Sequence, residues 1–180
     1  MTHTAELLDD LVILLDNDGN PTGTAAKATV HGTDTALHLA FSCYVFNPAG
    51  EVLITRRALS KKTWPGVWTN SFCGHPAPAE TLTDAVSRRA GFELGLEVTG
   101  IDLALPLFRY RATDSSGIVE NEVCPVYLAQ ATGDPVPNPD EVMEFTWAEP
   151  EALRRSVLAS PFAFSPWMVL QMSELETFRA

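Results

Sequence analysis

The sequence predicts an α/β fold of the α+β kind, in which mixed sheets carry helices on their faces, and three observations support that prediction. Two apolar runs close into hairpin turns, one proline-free stretch ends on glycine as a helix does, and strands interleave with helices without regular βαβ spacing. With 180 residues, 46% hydrophobic and 19% charged, the chain has material for one packed domain over residues 1–180.

The first hairpin begins at Leu11 to Leu15, an apolar run closed by Asn17-Asp18-Gly19-Asn20. Glycine and asparagine tolerate positive φ, so a tight turn belongs there. Leu39 to Phe46 and Val52 to Thr55 flank Asn47-Pro48-Ala49-Gly50 in the same way and form a second hairpin. Glu80 to Leu94 lacks proline, places Leu82, Ala85, Val86 and Ala90 at near-helical spacing and stops at Gly95, which reads as a glycine-capped helix. Ile118 to Ala129 and Glu144 to Trp147 read as strands, joined by the Pro-, Gly- and Asn-rich loop Thr132 to Asp140. Pro166 to Phe178 reads as an apolar-faced helix.

Composition narrows the function classes. A net charge of −11 repels nucleic acid and anionic membrane surfaces, so neither is an expected partner. No apolar run approaches the ~20 residues of a membrane helix, and acidic Met1 to Asp18 lacks the basic start of a secretion signal. Cys43, Cys73 and Cys124 form no CxxC pair, and an odd count makes a poor disulfide framework, which favours a reducing compartment. A cytoplasmic protein acting on a small molecule is the expectation, and the sequence carries no sign of oligomeric state. Basic residues do cluster: Arg56, Arg57, Lys61 and Lys62 crowd together, with Lys27, Arg88, Arg89, Arg109 and Arg111 also in the first two thirds. That cluster suits a local anion site or, equally, a solvated basic loop.

Three groups of residues bear on chemistry. His31, His38 and His75 could join Glu120 and Glu122, whose carboxylates share one side of a strand because side chains alternate there. Three imidazoles and two carboxylates suit Mn²⁺, Fe²⁺ or Zn²⁺, although an ExE pair alone is more commonly an exposed strand face. Cys73 lies in Asn70-Ser71-Phe72-Cys73-Gly74-His75-Pro76, unlike Cys43 and Cys124, which sit among apolar strand residues. Its polar loop makes it a candidate for proton or nucleophilic chemistry, the alternative being an inert buried thiol.

The third group resembles the Nudix signature, with Gly74, Glu80, Arg88, Glu93 and Gly95 in register. In that family the loop and helix hold divalent cations against a diphosphate. Here Arg89 and Phe92 replace two of its acidic positions, leaving Glu93 alone of the clustered glutamates, with Arg89 four residues before it on the same helix face. The hydrolytic metal cluster is therefore dismantled.

Longer stretches carry a more specific resemblance. Thr55-Arg56-Arg57-Ala58-Leu59-Ser60-Lys61-Lys62, Trp64-Pro65-Gly66-Val67-Trp68-Thr69-Asn70-Ser71, Cys73-Gly74-His75-Pro76, Phe108-Arg109-Tyr110-Arg111-Ala112 and Gly117-Ile118-Val119-Glu120-Asn121-Glu122 are similar to the type I isopentenyl diphosphate isomerases, over about Leu11 to Met172. The resemblance implies a Nudix-like fold, mixed sheets sandwiched between helices, and an enzyme interconverting isopentenyl and dimethylallyl diphosphate. It implies that His31, His38, His75, Glu120 and Glu122 hold Mn²⁺ or Mg²⁺, with Zn²⁺ as an alternative, and that Glu93 holds a Mg²⁺ bound with the diphosphate; no flavin is implied. Cys73 and Glu122 are the implied acid/base pair, Tyr110 an assisting hydroxyl, Lys27, Arg57, Lys61 and Arg89 the diphosphate's neighbours, and Trp167 the aromatic facing the reacting carbons. A Nudix hydrolase of nucleoside diphosphates and a non-catalytic diphosphate-binding module are the rival expectations.

Overall fold

The computed structural model describes residues 11–178, so most of the acidic stretch Met1 to Asp18 lies outside the described residues. β1 (Leu11–Leu15) and β2 (Pro21–Ala26) form the first hairpin, whose turn is fastened by the Asp16 carboxylate accepting from the Asp18 and Asn20 backbone N–H groups. A single helical turn, α1 (Lys27–Val30), then delivers Lys27 and His31. β3 (His38–Leu39), β4 (Phe41–Phe46) and β5 (Val52–Arg57) follow, then the short β6 (Trp68–Thr69) and β7 (Phe72–Gly74).

The glycine-capped helix is α2 (Leu82–Leu94). Thr81 caps its start by accepting from the Asp84 N–H, and Gly95, at φ 59, ends it in the left-handed conformation the sequence requires of that position. Next come β8 (Val98–Leu105), β9 (Arg109–Thr113), β10 (Val119–Val123), β11 (Val126–Ala131), β12 (Val142–Ala148), α3 (Pro150–Ala159) and α4 (Pro166–Glu174).

Two mixed sheets result: a five-stranded one in the order β2-β1-β3-β10-β9, and a seven-stranded one along β12-β5-β4-β11-β8 with β6 on β5 and β7 on β4. Every residue of β4 is buried, because both its faces are covered. Phe41, Cys43 and Val45 pack with Ala85, Val86 and Leu94 of α2, while Tyr44 and Phe46 pack with Trp167, Met168 and Met172 of α4.

Three readings need correction. Ile118 to Ala129 is not one strand: the chain leaves the first sheet after Val123, and β11 begins in the second at Val126. Pro125 between them has no N–H to donate, so a ladder cannot run through it. Leu39 to Phe46 breaks similarly at Ala40, whose N–H donates to Val123 O at 2.9 Å. The two breaks lie side by side, where both strand pairs pass from one sheet to the other, and the site opens at that seam. The C-terminal helix also stops at Glu174, with a 3-10 turn at Glu176–Phe178.

Candidate active site

A cavity of about 420 Å³ at the seam is lined by residues from both sheets. His31 after α1, His38 in β3, His75 after β7 and Glu122 in β10 bring a ligand atom each within 4.8 Å of one another. Glu122 Oε1 lies 3.2 Å from His75 Nε2, 3.4 Å from His38 Nε2 and 4.0 Å from His31 Nε2. His38 lies 2.9 Å from Ala36 O through Nδ1, so that nitrogen carries the proton and Nε2 presents a lone pair to a carboxylate.

A lone pair facing a carboxylate is repulsive unless a cation sits between them. The Nε2 atoms of His31 and His38 are buried with no hydrogen-bond partner, as a waiting metal-ligand set would be. Three imidazoles and a carboxylate fit a divalent ion. Burial lowers the pKa of His38, but the facing Glu122 carboxylate outweighs it and the net shift is upward. His75 is driven down to about 4, burial again leading. Glu122 is buried too, yet the three imidazoles ranged around it hold its pKa well below the usual carboxylate range.

Glu120 shares that face of β10, as alternation requires, but stands outside the ligand group. Its oxygens accept from Thr63 Oγ1 and Tyr110 Oη, both at 2.5 Å, and Tyr110 also reaches Glu122 at 3.0 Å. Burial and the Glu122 charge raise the Glu120 pKa. Tyr110 is pushed well above its ordinary value by burial and both carboxylates, so it keeps its proton.

Cys73 enters from the second sheet. Burial pushes its thiol up to about 12, against its hydrogen bonds with Ser42 Oγ and to Asn70 Oδ1. Cys43 and Cys124 are buried, and Cys124 reaches Ser42 Oγ at 3.4 Å. Trp167 is 2% exposed yet lines the cavity, anchored by its indole N–H on Asn70 Oδ1 at 2.9 Å, with Arg57 Cζ 5.4 Å from its ring centroid.

Lys27, Arg57, Lys61, Lys62 and Arg89 also line the wall. Burial, followed by repulsion from Arg89 and Lys61, lowers the Lys27 pKa against the attraction of Glu141 and Glu93. Such a group calls for an anion. The rest of the basic cluster lies elsewhere: Arg56 pairs with Glu144, Arg88 with Glu80, and Arg109 and Arg111 are exposed.

Glu93 is not on the cavity wall. It is 6% exposed, and its Oε1 accepts from Arg89 at 2.5 and 3.0 Å across one helical turn. Phe92, at the other altered signature position, is exposed with Arg89 over its ring at 4.8 Å. Glu141, which sequence reasoning missed, bonds Lys61 and Arg89 from the loop before β12; nothing in a Pro- and Asn-rich loop announced it. Thr63 was missed too, although it directly follows the basic stretch.

A glycine-led loop and helix beside a sheet-seam cavity lined by cations and a metal-ligand set mark a Nudix-type protein. The NUDIX domain model matches residues 36–168. Within that class the chain belongs to the isopentenyl-diphosphate Delta-isomerase family. It is 64% identical to the isomerase of Agromyces mediolanus over 90% of this chain and 79% of that one, and 61% identical to the isomerase of Clavibacter michiganensis subsp. michiganensis (strain NCPPB 382) over 91% and 84%. The crystal structure of DR0079 from Deinococcus radiodurans superposes with a TM-score of 0.71 over 92% of this chain and 99% of that one; at 19% identity it supports the fold alone.

Proposed function

We propose that this enzyme converts isopentenyl diphosphate to dimethylallyl diphosphate by adding a proton to one carbon of the alkene and removing one from another, a step of isoprenoid synthesis. The observation that carries this reading is that Cys73, Glu122 and Tyr110 share one cavity with a cluster of cations and one indole.

Protonating an alkene makes a tertiary carbocation, and loss of a proton from the neighbouring carbon moves the double bond, so a donor and an acceptor must flank a three-carbon unit. Cys73 holds a proton and Glu122 lacks one, and they project from different sheets. One gives and the other takes, and the reverse reaction exchanges their roles. Tyr110, bonded to Glu122, passes or steadies the proton at that carboxylate. Trp167 offers the cation a ring face worth roughly 0.5–2 kcal/mol without a nucleophilic oxygen to trap it.

Lys27, Arg57, Lys61 and Arg89 bind the diphosphate, which orients the hydrocarbon toward Cys73 and Glu122. The His31, His38, His75 and Glu122 donors suit Zn²⁺, Mn²⁺ or Mg²⁺ in decreasing order of fit to nitrogen ligands, with Glu120 beside them. An ion held by these residues would fix the Glu122 carboxylate and alter its acidity, and Glu93 would hold a Mg²⁺ carried with the diphosphate only once Arg89 releases its carboxylate.

The replacement of two acidic signature positions by Arg89 and Phe92 disfavours hydrolysis. Proton NMR of isopentenyl diphosphate in D₂O with enzyme and Mn²⁺ removed before acquisition tests the reading. Deuterium should enter both isomers and a chelator should stop it; release of phosphate with no exchange would replace this reading with a hydrolase.

A further inference from the structure

The active-site cavity has a neighbour on the far side of a thin partition. An apolar groove of about 430 Å³, lined among others by Trp64, Ala112, Phe164, Val169 and Leu170, opens to the surface beside Phe162, which is 90% exposed. Three segments supply adjacent residues to the two spaces. Thr63 lines the cavity and Trp64 the groove; on β9 Tyr110 lines the cavity and Ala112, two residues on and hence on the same face, the groove; at the start of α4 Trp167 lines the cavity and Pro166 the groove. At the middle of this partition Trp64 meets Trp167 edge-on, with ring centroids 5.4 Å apart and planes at 89°.

Trp64 holds a backbone conformation that a bulky residue rarely adopts, with φ 43. The surrounding loop imposes it. Arg57 donates through Nε and Nη2 to Thr63 O, Arg56 Nε donates to Gly66 O at 2.9 Å, and the Gly66 N–H donates to Arg57 O at 3.0 Å. An indole kept where glycine would sit without strain points to a use for the ring.

We propose that Trp64 is a specificity-determining residue: it closes the hydrocarbon end of the active site and confines the substrate to a five-carbon alkenyl diphosphate. This rests on the reading above, in which cations hold the diphosphate and the hydrocarbon lies against Trp167. Carbons beyond the fifth meet the Trp64 and Trp167 wall. With the indole removed, a longer alkyl group passes into the apolar groove, where each buried methylene strengthens binding by about fourfold.

The test compares kcat/KM for isopentenyl diphosphate and for 3-butylbut-3-enyl diphosphate, three methylenes longer, in wild type, Trp64→Gly and Trp64→Phe. Glycine suits the φ of this position, so Trp64→Gly opens the wall without new backbone strain. The ratio of long to short substrate should rise about tenfold or more in Trp64→Gly. It should rise less in Trp64→Phe, and fall back when Ala112→Phe is added to Trp64→Gly to refill the groove. An unchanged ratio in either single variant that still turns over isopentenyl diphosphate overturns the proposal, and Trp64→Phe decides alone should Trp64→Gly not fold. Wild type that fails to turn over isopentenyl diphosphate would instead overturn the functional reading, which keeps the two failures apart.

Discussion

At the residue scale, function rests on a few side chains whose protonation is set by their surroundings. Cys73→Ala and Glu122→Gln should each cut deuterium exchange by about 10²–10⁴-fold while circular dichroism stays native, since each removes one end of the proton transfer. Full activity in either would contradict its role. The imidazoles also fix how metal binding responds to pH. His38 has its pKa raised above 6.5, whereas His75 stays neutral down to about 4. A bound proton on His38 competes with the ion, so affinity should weaken as pH falls through the range above 6.5, and His75 should add nothing until near pH 4. Calorimetric titration with Mn²⁺ from pH 8 to pH 5 checks this, and pH-independent affinity would refute it. The imidazoles, Cys73 and Glu122 were legible in the sequence because their residue types are uncommon and chemically marked. Thr63 and Glu141 were not, since a lone threonine and a loop glutamate acquire meaning only from the Glu120, Lys61 and Arg89 they touch. Glu93 was found by register, but register could not show that Arg89 would occupy its carboxylate.

At the element scale, α2 and its approach loop place Arg89 and the Cys73 segment. A Cβ added at Gly74 would lie 2.8 Å from Arg89 Cγ and 2.9 Å from Phe41 Cζ. Gly74→Ala should therefore destabilise the protein by about 1–3 kcal/mol in urea unfolding and also raise KM for the diphosphate by displacing Arg89. Wild-type stability and KM together would show that the contact yields freely. Thr81→Ala, which loses only the helix cap, should cost about 1 kcal/mol and leave KM unchanged. The hairpins and α2 could be read from sequence because turn residues and a capping glycine act locally. The division of Ile118 to Ala129 between two sheets could not, although Pro125 marked the point of rupture. Sheet membership is decided by pairing with β3 and β4, far away in the chain. β8, β9 and α3 were missed for different reasons: β8 lacks a clean alternation of buried and exposed residues, whereas β9, where Tyr110 and Ala112 alternate with exposed neighbours, and α3, with Pro150 at its start and Leu153 and Val157 one turn apart, carried periods that could have been read.

At the scale of the whole molecule, the seam between two sheets brings a thiol from one and a carboxylate from the other into one cavity that cations also line. Among the described residues no helix is long and apolar enough to cross a membrane. An ion that binds the folded ligand set, and not the unfolded chain, adds stability by mass action, about 2.7 kcal/mol at a hundredfold excess over Kd. Chelation should accordingly lower the Tm, and the His38→Ala variant should lose that response; a Tm indifferent to metal would argue against the site. The most direct test of the whole account is anomalous diffraction at the metal edge from crystals soaked with Mn²⁺ and a saturated isopentenyl diphosphate analogue. The account predicts one peak among His31, His38, His75 and Glu122, with the five-carbon chain between that carboxylate and the sulfur of Cys73. A peak elsewhere, or a hydrocarbon that does not lie between the two, would contradict it.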